Sequence, residues 1–270
     1  MSKVIIHIGM HKTGTTFLQK VVFPNLNNTF YAHNNEFFVP WKKQLYKKAD
    51  NMLLSYEGFS GFPWNKFKEK NSWLKSFHLN IDQIRKFFPN AIIIIFFRKQ
   101  GDLLLSIYKQ YLQEGGELSI NEFYGNGKIL EKKDLSIKSR LNYIKDCFDQ
   151  VYFLNYELFS DEKLNYLDVF FRKELNLRLN KTESLPKSNI SISGSKIKIL
   201  RRYNIIYNKF PRLIQKPINI LKLAPRKLVQ EKLSFWQTKD SKELKELKVK
   251  INEEFKMDWE YFLSQQWKRQ

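Results

Sequence analysis

Apolar residues fall along this chain in two patterns, short unbroken runs and longer stretches spaced at three and four positions. The unbroken runs predict strands. Val4 to Ile8 is rich in β-branched residues and Gly9 follows at once, which predicts a buried strand entering a tight turn. Asn51 to Tyr56 (NMLLSY) predicts a second strand, ending at Glu57-Gly58. Ala91 to Phe97 (AIIIIFF) is the clearest, and its lack of alternation predicts a strand covered on both faces, as in a parallel sheet. Val151 to Leu154 is a further short strand.

Helical spacing predicts the intervening elements. One helix runs from Thr15 (TTFLQKVVF) until Pro24 stops or kinks it, and another from Ile81 to Phe88 before Pro89-Asn90. Asp102 is read as the cap of a helix Leu103 to Gln113, closed by Gly115-Gly116. Ser139 to Phe148 follows, and then an amphipathic helix from an Asp161 cap through Leu175. Leu244, Leu247, Ile251, Phe255 and Trp259 predict a docked terminal helix within Ser241 to Phe262. Strand and helix alternate, so the expected fold is three-layer α/β, a central parallel sheet flanked by helices through right-handed crossovers. Leu185 to Ser195 is a polar loop, and the basic helical portion beyond it is interrupted by Pro211, Pro217 and Pro225. With no repeat and no low-complexity linker, the chain is expected to be one domain over 1–270. Its core covers about 1–205 and its helical C-terminal extension about 206–270.

Composition narrows the classes. The 270 residues include 43% hydrophobic and 16% aromatic positions, enough for one substantial core and too many for disorder. A formal charge of +20 favours anionic partners, although Phe, Ile, Asn and Lys are abundant together, a bias that lends part of the basicity no functional meaning. Lysines are spread along the whole chain rather than gathered on one element with interleaved aromatics, which argues against a nucleic-acid-binding module. Cys147 is the one cysteine, so no internal disulfide can form, and a buried inert thiol is expected of it. No leader pattern or membrane-length apolar run is present, and a cytoplasmic location is expected. The basic stretch Arg201 to Leu233 is open to two readings, a helical cap on the core or peripheral contact with an anionic membrane.

The candidate chemistry begins directly after the first strand, in HIGMHKTGTTFLQ (His7 to Gln19). A glycine turn between a buried strand and a helix presents backbone N–H groups, and the positive end of the helix dipole, to an anion. Gly9 and Gly14 let the backbone approach closely, Thr15 and Thr16 bring hydroxyls, and Lys12 brings a point charge. The two glycines have the spacing of the nucleotide-triphosphatase loop, but Thr15 stands where that loop carries lysine. This departure weakens the alternative of an ATP-dependent P-loop kinase.

The segment resembles the 5′-phosphosulfate loop of sulfotransferases that use 3′-phosphoadenosine-5′-phosphosulfate (PAPS), in which a lysine precedes the glycine and two hydroxyl residues. In that family a second signature follows a central strand, an arginine at the strand end and a serine eight residues on, both holding the cofactor's 3′-phosphate. Arg98 and Ser106 match that spacing, although the Asp-Pro usual after the arginine is here Lys99-Gln100. The resemblance covers roughly residues 3 to 205. It implies PAPS as donor and PAP (3′-phosphoadenosine-5′-phosphate) as product, with Lys12, Thr13, Gly14, Thr15, Thr16, Arg98 and Ser106 as ligands, joined by Asn189 and Ser191 of the NISIS loop. Lys187 and Ser193 are further candidates there, Ser193 equally as a plain helix cap. The resemblance implies no metal. Tyr156 and Glu157 match the family's strand end and are read as structural.

Sulfuryl transfer resembles phosphoryl transfer, needing in-line positioning, cationic stabilisation of the leaving group and a base for the acceptor hydroxyl. Lys12 is the candidate cation. Glu57, just past the second strand, is the candidate base by resemblance to glycan-type members, and a solvated loop carboxylate is the bland alternative. His11 and His33 are alternative bases, His7 is expected to be structural, and nothing recommends His78. The acceptor is expected to bear a hydroxyl, on a glycan by family analogy. Tyr31, Phe37, Trp41 and Trp64, with Lys42, Lys43, Lys47 and Lys48, form either a sugar-binding surface or ordinary packing. A catalytically dead binding scaffold is disfavoured by the intact Lys12, Arg98 and Ser106. Oligomeric state is left open.

Overall fold

A computed structural model describes residues 3–33, 50–63, 71–125, 129–162, 164–180, 195–211 and 241–269. Its centre is a five-stranded sheet of β1 (Lys3–Ile8), β2 (Thr29–His33), β3 (Asn51–Tyr56), β4 (Ile92–Phe97) and β5 (Val151–Asn155), in the order β2-β3-β1-β4-β5. Every pairing is parallel, with Ile8 opposite Tyr56 on one side and Ile95 on the other, and Phe97 opposite Asn155. Consequently Gly9, Glu57, Arg98 and Tyr156, the first residues past four of the strands, all leave the same edge of the sheet.

Side chains of β4 alternate between two cores although none is polar. Ile93, Ile95 and Phe97 enter one apolar cluster and Ile92, Ile94 and Phe96 the other. A strand buried on both faces therefore reads as an unbroken run. Burying each such side chain contributes about 1.5–3 kcal/mol. The first face is covered by α2 (Trp73–Phe87), α3 (Gln100–Gln113), α4 (Ile120–Phe123), α5 (Ile137–Cys147), α8 (Ser195–Lys209), α9 (Lys242–Glu254) and α10 (Lys256–Gln265). The second is covered by α1 (Thr15–Phe17), which continues as a π-helical turn Leu18–Val22, and by α6 (Tyr156–Glu162) and α7 (Leu164–Phe170). The layers are thus helix, sheet, helix, as the alternation of elements predicts.

The departures lie at element starts. The edge strand β2 is absent from the apolar pattern because its residues are mostly half-buried (TFYAH). Helix α2 begins eight residues before Ile81, where Ser72 accepts a bond from the Lys75 amide and Trp73 and Phe77 enter the core. Asp102 caps nothing: α3 already begins at Gln100, and Asp102 instead pairs with Lys248 at 2.7 Å. Asp161 lies inside α6 rather than ahead of it. The terminal segment is two helices meeting at Phe255; α9 packs along α3 and α10 along α5. Cys147 is half-buried and free. Among the described residues no helix is long and apolar enough to cross a membrane.

Candidate functional site

The strand order places a crevice between β1 and β4. The chain leaves β1 toward β2 on one side and leaves β4 toward β5 on the other, and at such a switch point the two departing loops splay apart. Residues 9–16 form one wall and the turn after Phe97 forms the other.

The first wall is a local construction. Lys12 and Gly14 both have left-handed backbone, at φ 62° and 78°. A Cβ on Gly14 would also lie 2.8 Å from the Phe159 ring, and one on Gly9 would lie 2.9 Å from the Cα of Glu57. The hydroxyls of Thr13 and Thr15 both donate to the Met10 carbonyl, at 2.7 and 3.1 Å, and lock the loop onto itself. The Gly14 carbonyl accepts from Phe17 and Leu18, so the amides of Gly14, Thr15 and Thr16 precede the first bond of the helix. Thr16 is exposed at that position.

Arg98 crosses the crevice. Its Nη1 donates to the Lys12 carbonyl at 3.1 Å, and its guanidinium lies 4.8 Å from the centre of the Tyr156 ring. Tyr156 also packs near Gly14, 3.5 Å from where a Cβ would sit. The two segments singled out by sequence, 86 residues apart, are therefore in direct contact. Burial lowers the Lys12 pKa; the Glu57 carboxylate opposes the shift, and Arg98 reinforces it. Ser106 is half-buried in the second turn of α3.

Glu57 and His11 form the titratable part. His11 is 1% exposed, and its Nε2–H donates to the Gly61 carbonyl at 2.8 Å, which fixes the tautomer and turns Nδ1 toward Glu57 Oε1 at 3.5 Å. Burial brings the His11 pKa down to about 4 against the opposing Gly61 bond, with Lys12 adding to the fall. Burial raises Glu57 to about 7 against the pull of Lys12, and Glu114 at the end of α3 adds to the rise. A carboxyl poised near neutrality can both lose and take up a proton under working conditions. His7 is structural, as expected: its Nδ1 lies 2.8 Å from Ser55 Oγ, and burial lowers it to about 3.

Lys12, Arg98, Glu57 and His11 are thus brought together. His33 is not, since it ends β2, two strands from β1. His78 stacks on Tyr143, also away from the crevice. Lys187, Asn189, Ser191 and Ser193 lie outside the described residues, as do Phe37, Trp41, Trp64 and the four lysines grouped with them; Tyr31 packs on Phe23. Sequence reasoning missed Glu114 and read Tyr156 only as structural; it does pack against the second core, and it also meets the Arg98 guanidinium. The Tyr-Glu pair at the end of β5 was the available signal for Tyr156, because register puts it level with Arg98. Among the described residues no group of three His, Cys, Asp or Glu side chains is placed to hold a metal ion.

The class this defines is a parallel α/β fold with a tightly turned loop, of left-handed backbone at Lys12 and Gly14, at its switch point. No protein-family profile and no curated protein matches the chain. Among solved structures, the crystal structure of a sulfotransferase from Alicyclobacillus acidocaldarius aligns over 76% of this chain and 93% of its own, with 12% identity and a TM-score of 0.47. A likeness at that level leaves the fold resting on its own strand order and register.

Proposed function

We propose that the chain is a sulfotransferase that takes a sulfuryl group from PAPS and places it on an acceptor hydroxyl. The observation that carries this reading is the Arg98–Lys12 contact, with Tyr156 stacked against the guanidinium. It joins a loop suited to a 5′-phosphate to a cation suited to a second phosphate. The loop fits that use: positive φ at Lys12 and Gly14 makes it a tight turn ahead of the helix amides, and any side chain at Gly14 would meet Phe159.

The donor supplies an electrophilic sulfur and a phosphate leaving group. Amides of residues 14–16 bind and orient that phosphate, and Lys12 offsets the charge it gains as the bond to sulfur breaks. Arg98, whose planar fork can grip phosphate oxygens in two places, holds the 3′-phosphate together with Ser106. Glu57 takes the acceptor's proton as its oxygen bonds to sulfur. His11, with Nε2 committed to Gly61, presents its Nδ1 lone pair to Glu57 and faces the carboxyl favourably once Glu57 has taken the acceptor's proton. The acceptor is a hydroxyl-bearing molecule, on this reading a glycan. A cavity of about 260 Å³ between the turn after β3 and α2, lined by Tyr56, Phe62, Asn71 and Asn80 among others, offers ring faces and amides to it.

Thermal unfolding with PAP, and separately with ATP and magnesium, tests the reading. PAP at about 100 times its Kd contributes about 2.7 kcal/mol, a rise of roughly 5–10 °C for a chain of this size. Stabilisation by ATP with magnesium but not by PAP would replace it with a kinase. Stabilisation by neither would remove the nucleotide altogether.

A further inference from the structure

The turn carrying Arg98 is not held by its own sequence. Lys99 occupies the N-cap of α3, and an ammonium side chain has no lone pair with which to cap helix amides. The acceptors come from far along the chain. The Lys99 amide donates to Glu157 Oε1 at 3.1 Å, and the Gly101 amide to Asn252 Oδ1 at 2.8 Å. The buried Gln100 side chain donates through Nε2 to Asp258 Oδ2 at 2.7 Å. Asp258 is itself fixed, because it also accepts from Ser136 Oγ and from the amides of Ile137 and Lys138, at 3.0, 2.8 and 3.1 Å, and so caps α5. Helix α9 approaches so closely that a Cβ on Gly101 would lie 2.5 Å from the Lys248 carbonyl.

We propose that Asn252 and Asp258, in the two C-terminal helices, are positioning residues for the anion grip at Arg98. They pin the first turn of α3, and with Glu157 on the other side they fix the turn 98–101 so that the guanidinium reaches over the Lys12 carbonyl. A helix start ordinarily attracts anions through its exposed amides and dipole. Here side-chain oxygens already take the amides of Lys99 and Gly101, so a phosphate in the crevice is met by the Arg98 fork rather than by those two amides. Selectivity for a second phosphate then depends on how firmly that fork is aimed. The C-terminal segment is accordingly part of the site's machinery through Asn252 and Asp258, which reach the turn rather than Arg98 itself.

This inference rests on the nucleotide reading above, and its test separates the two. The quantity to measure is the ratio of dissociation constants for 5′-AMP and PAP, by calorimetry on the full chain. A 3′-phosphate held by a charge-assisted contact makes PAP bind about tenfold tighter or more. In Asn252→Leu the ratio should fall toward one while the 5′-AMP constant stays within about twofold, and Asn252→Asp, which restores an acceptor to the Gly101 amide, should recover it. General loosening would weaken both ligands together, which would overturn the proposal, as would an unchanged ratio in Asn252→Leu. Should that variant fail to fold, Gln100→Met, which cuts the tie to Asp258 alone, must lower the ratio or the proposal is lost. If the wild type itself binds PAP and 5′-AMP alike, the nucleotide reading fails first and takes this one with it.

Discussion

The two walls of the crevice are built by opposite strategies. Residues 9–16 close on themselves: Thr13 and Thr15 bond to Met10, and the helix starts on Gly14. The turn after Phe97 closes on Glu157, Asn252 and Asp258, some 58 to 158 residues further along the chain. A wall closed largely by its own residues is exposed mainly to changes within them, although Ser60 and Gly61 also hold Gly9 and His11. A wall assembled from three distant segments can be loosened from any of them, and it ties the far end of the chain to the site.

The largest expected effect lies beside the local wall, at the end of β3. Glu57→Gln keeps the shape near Gly9 and removes the proposed base, and turnover with any accepted substrate should drop about 10²–10⁴-fold. In the wild type the rate should climb with pH through about 7, because the carboxylate is the active form and its pKa sits there; a flat profile would put the base elsewhere. Stability moves the other way. A carboxyl raised from 4.5 to about 7 on folding stabilises the protein below pH 4.5, and that contribution is lost as pH rises through 7. Glu57→Gln should therefore gain in Tm relative to wild type between pH 5 and 8, and only slightly, since the side chain is 40% exposed. His7 and His11 have the reverse sign. Held neutral at about 3 and 4, they make stability fall as pH drops below 6.5.

Next in size is Gly14→Ala. Left-handed backbone and the Phe159 ring together should cost about 1–3 kcal/mol of stability, read in urea unfolding, with nucleotide binding lost as well. On the distributed wall, Asp258→Ala removes an outside acceptor of the first α5 amides and the Gln100 tie while leaving the Ser136 cap, and about 2 kcal/mol is expected. The smallest effect sharpens the contrast. Were Asp102 the cap of α3, its replacement by Ala would cost about 1 kcal/mol. As a partly exposed ion pair with Lys248 it should cost about 0.5 kcal/mol or less.

The same contrast decides what the sequence could reveal. Strand β3 is found with the boundaries that NMLLSY predicts, and the loop at Gly9 to Thr16 is legible because the residues that give it its turn, from Met10 to Thr15, lie in one short segment. Arg98 and Ser106 are visible as a spacing. The start of α3 was misplaced because a helix capped from outside carries no cap in its own sequence, which made Asp102 look like one. Likewise His11 was read as an alternative base from its place inside the loop, where its bond to the Gly61 carbonyl, 50 residues away, cannot be seen. Tyr156 shows the same limit, since its place under Arg98 follows from the pairing of β4 with β5.

The central claim is that the loop after β1 and the arginine after β4 form one site for a nucleotide with two separate phosphates. Calorimetric titration of PAP into the wild type and into Arg98→Ala tests it most directly. The account predicts tight binding by the wild type and a loss of about tenfold to a hundredfold in Arg98→Ala, with Tm nearly unchanged because the guanidinium is half-buried. Equal binding by both proteins would mean that Arg98 merely braces the Lys12 carbonyl, and the two walls would not be one site.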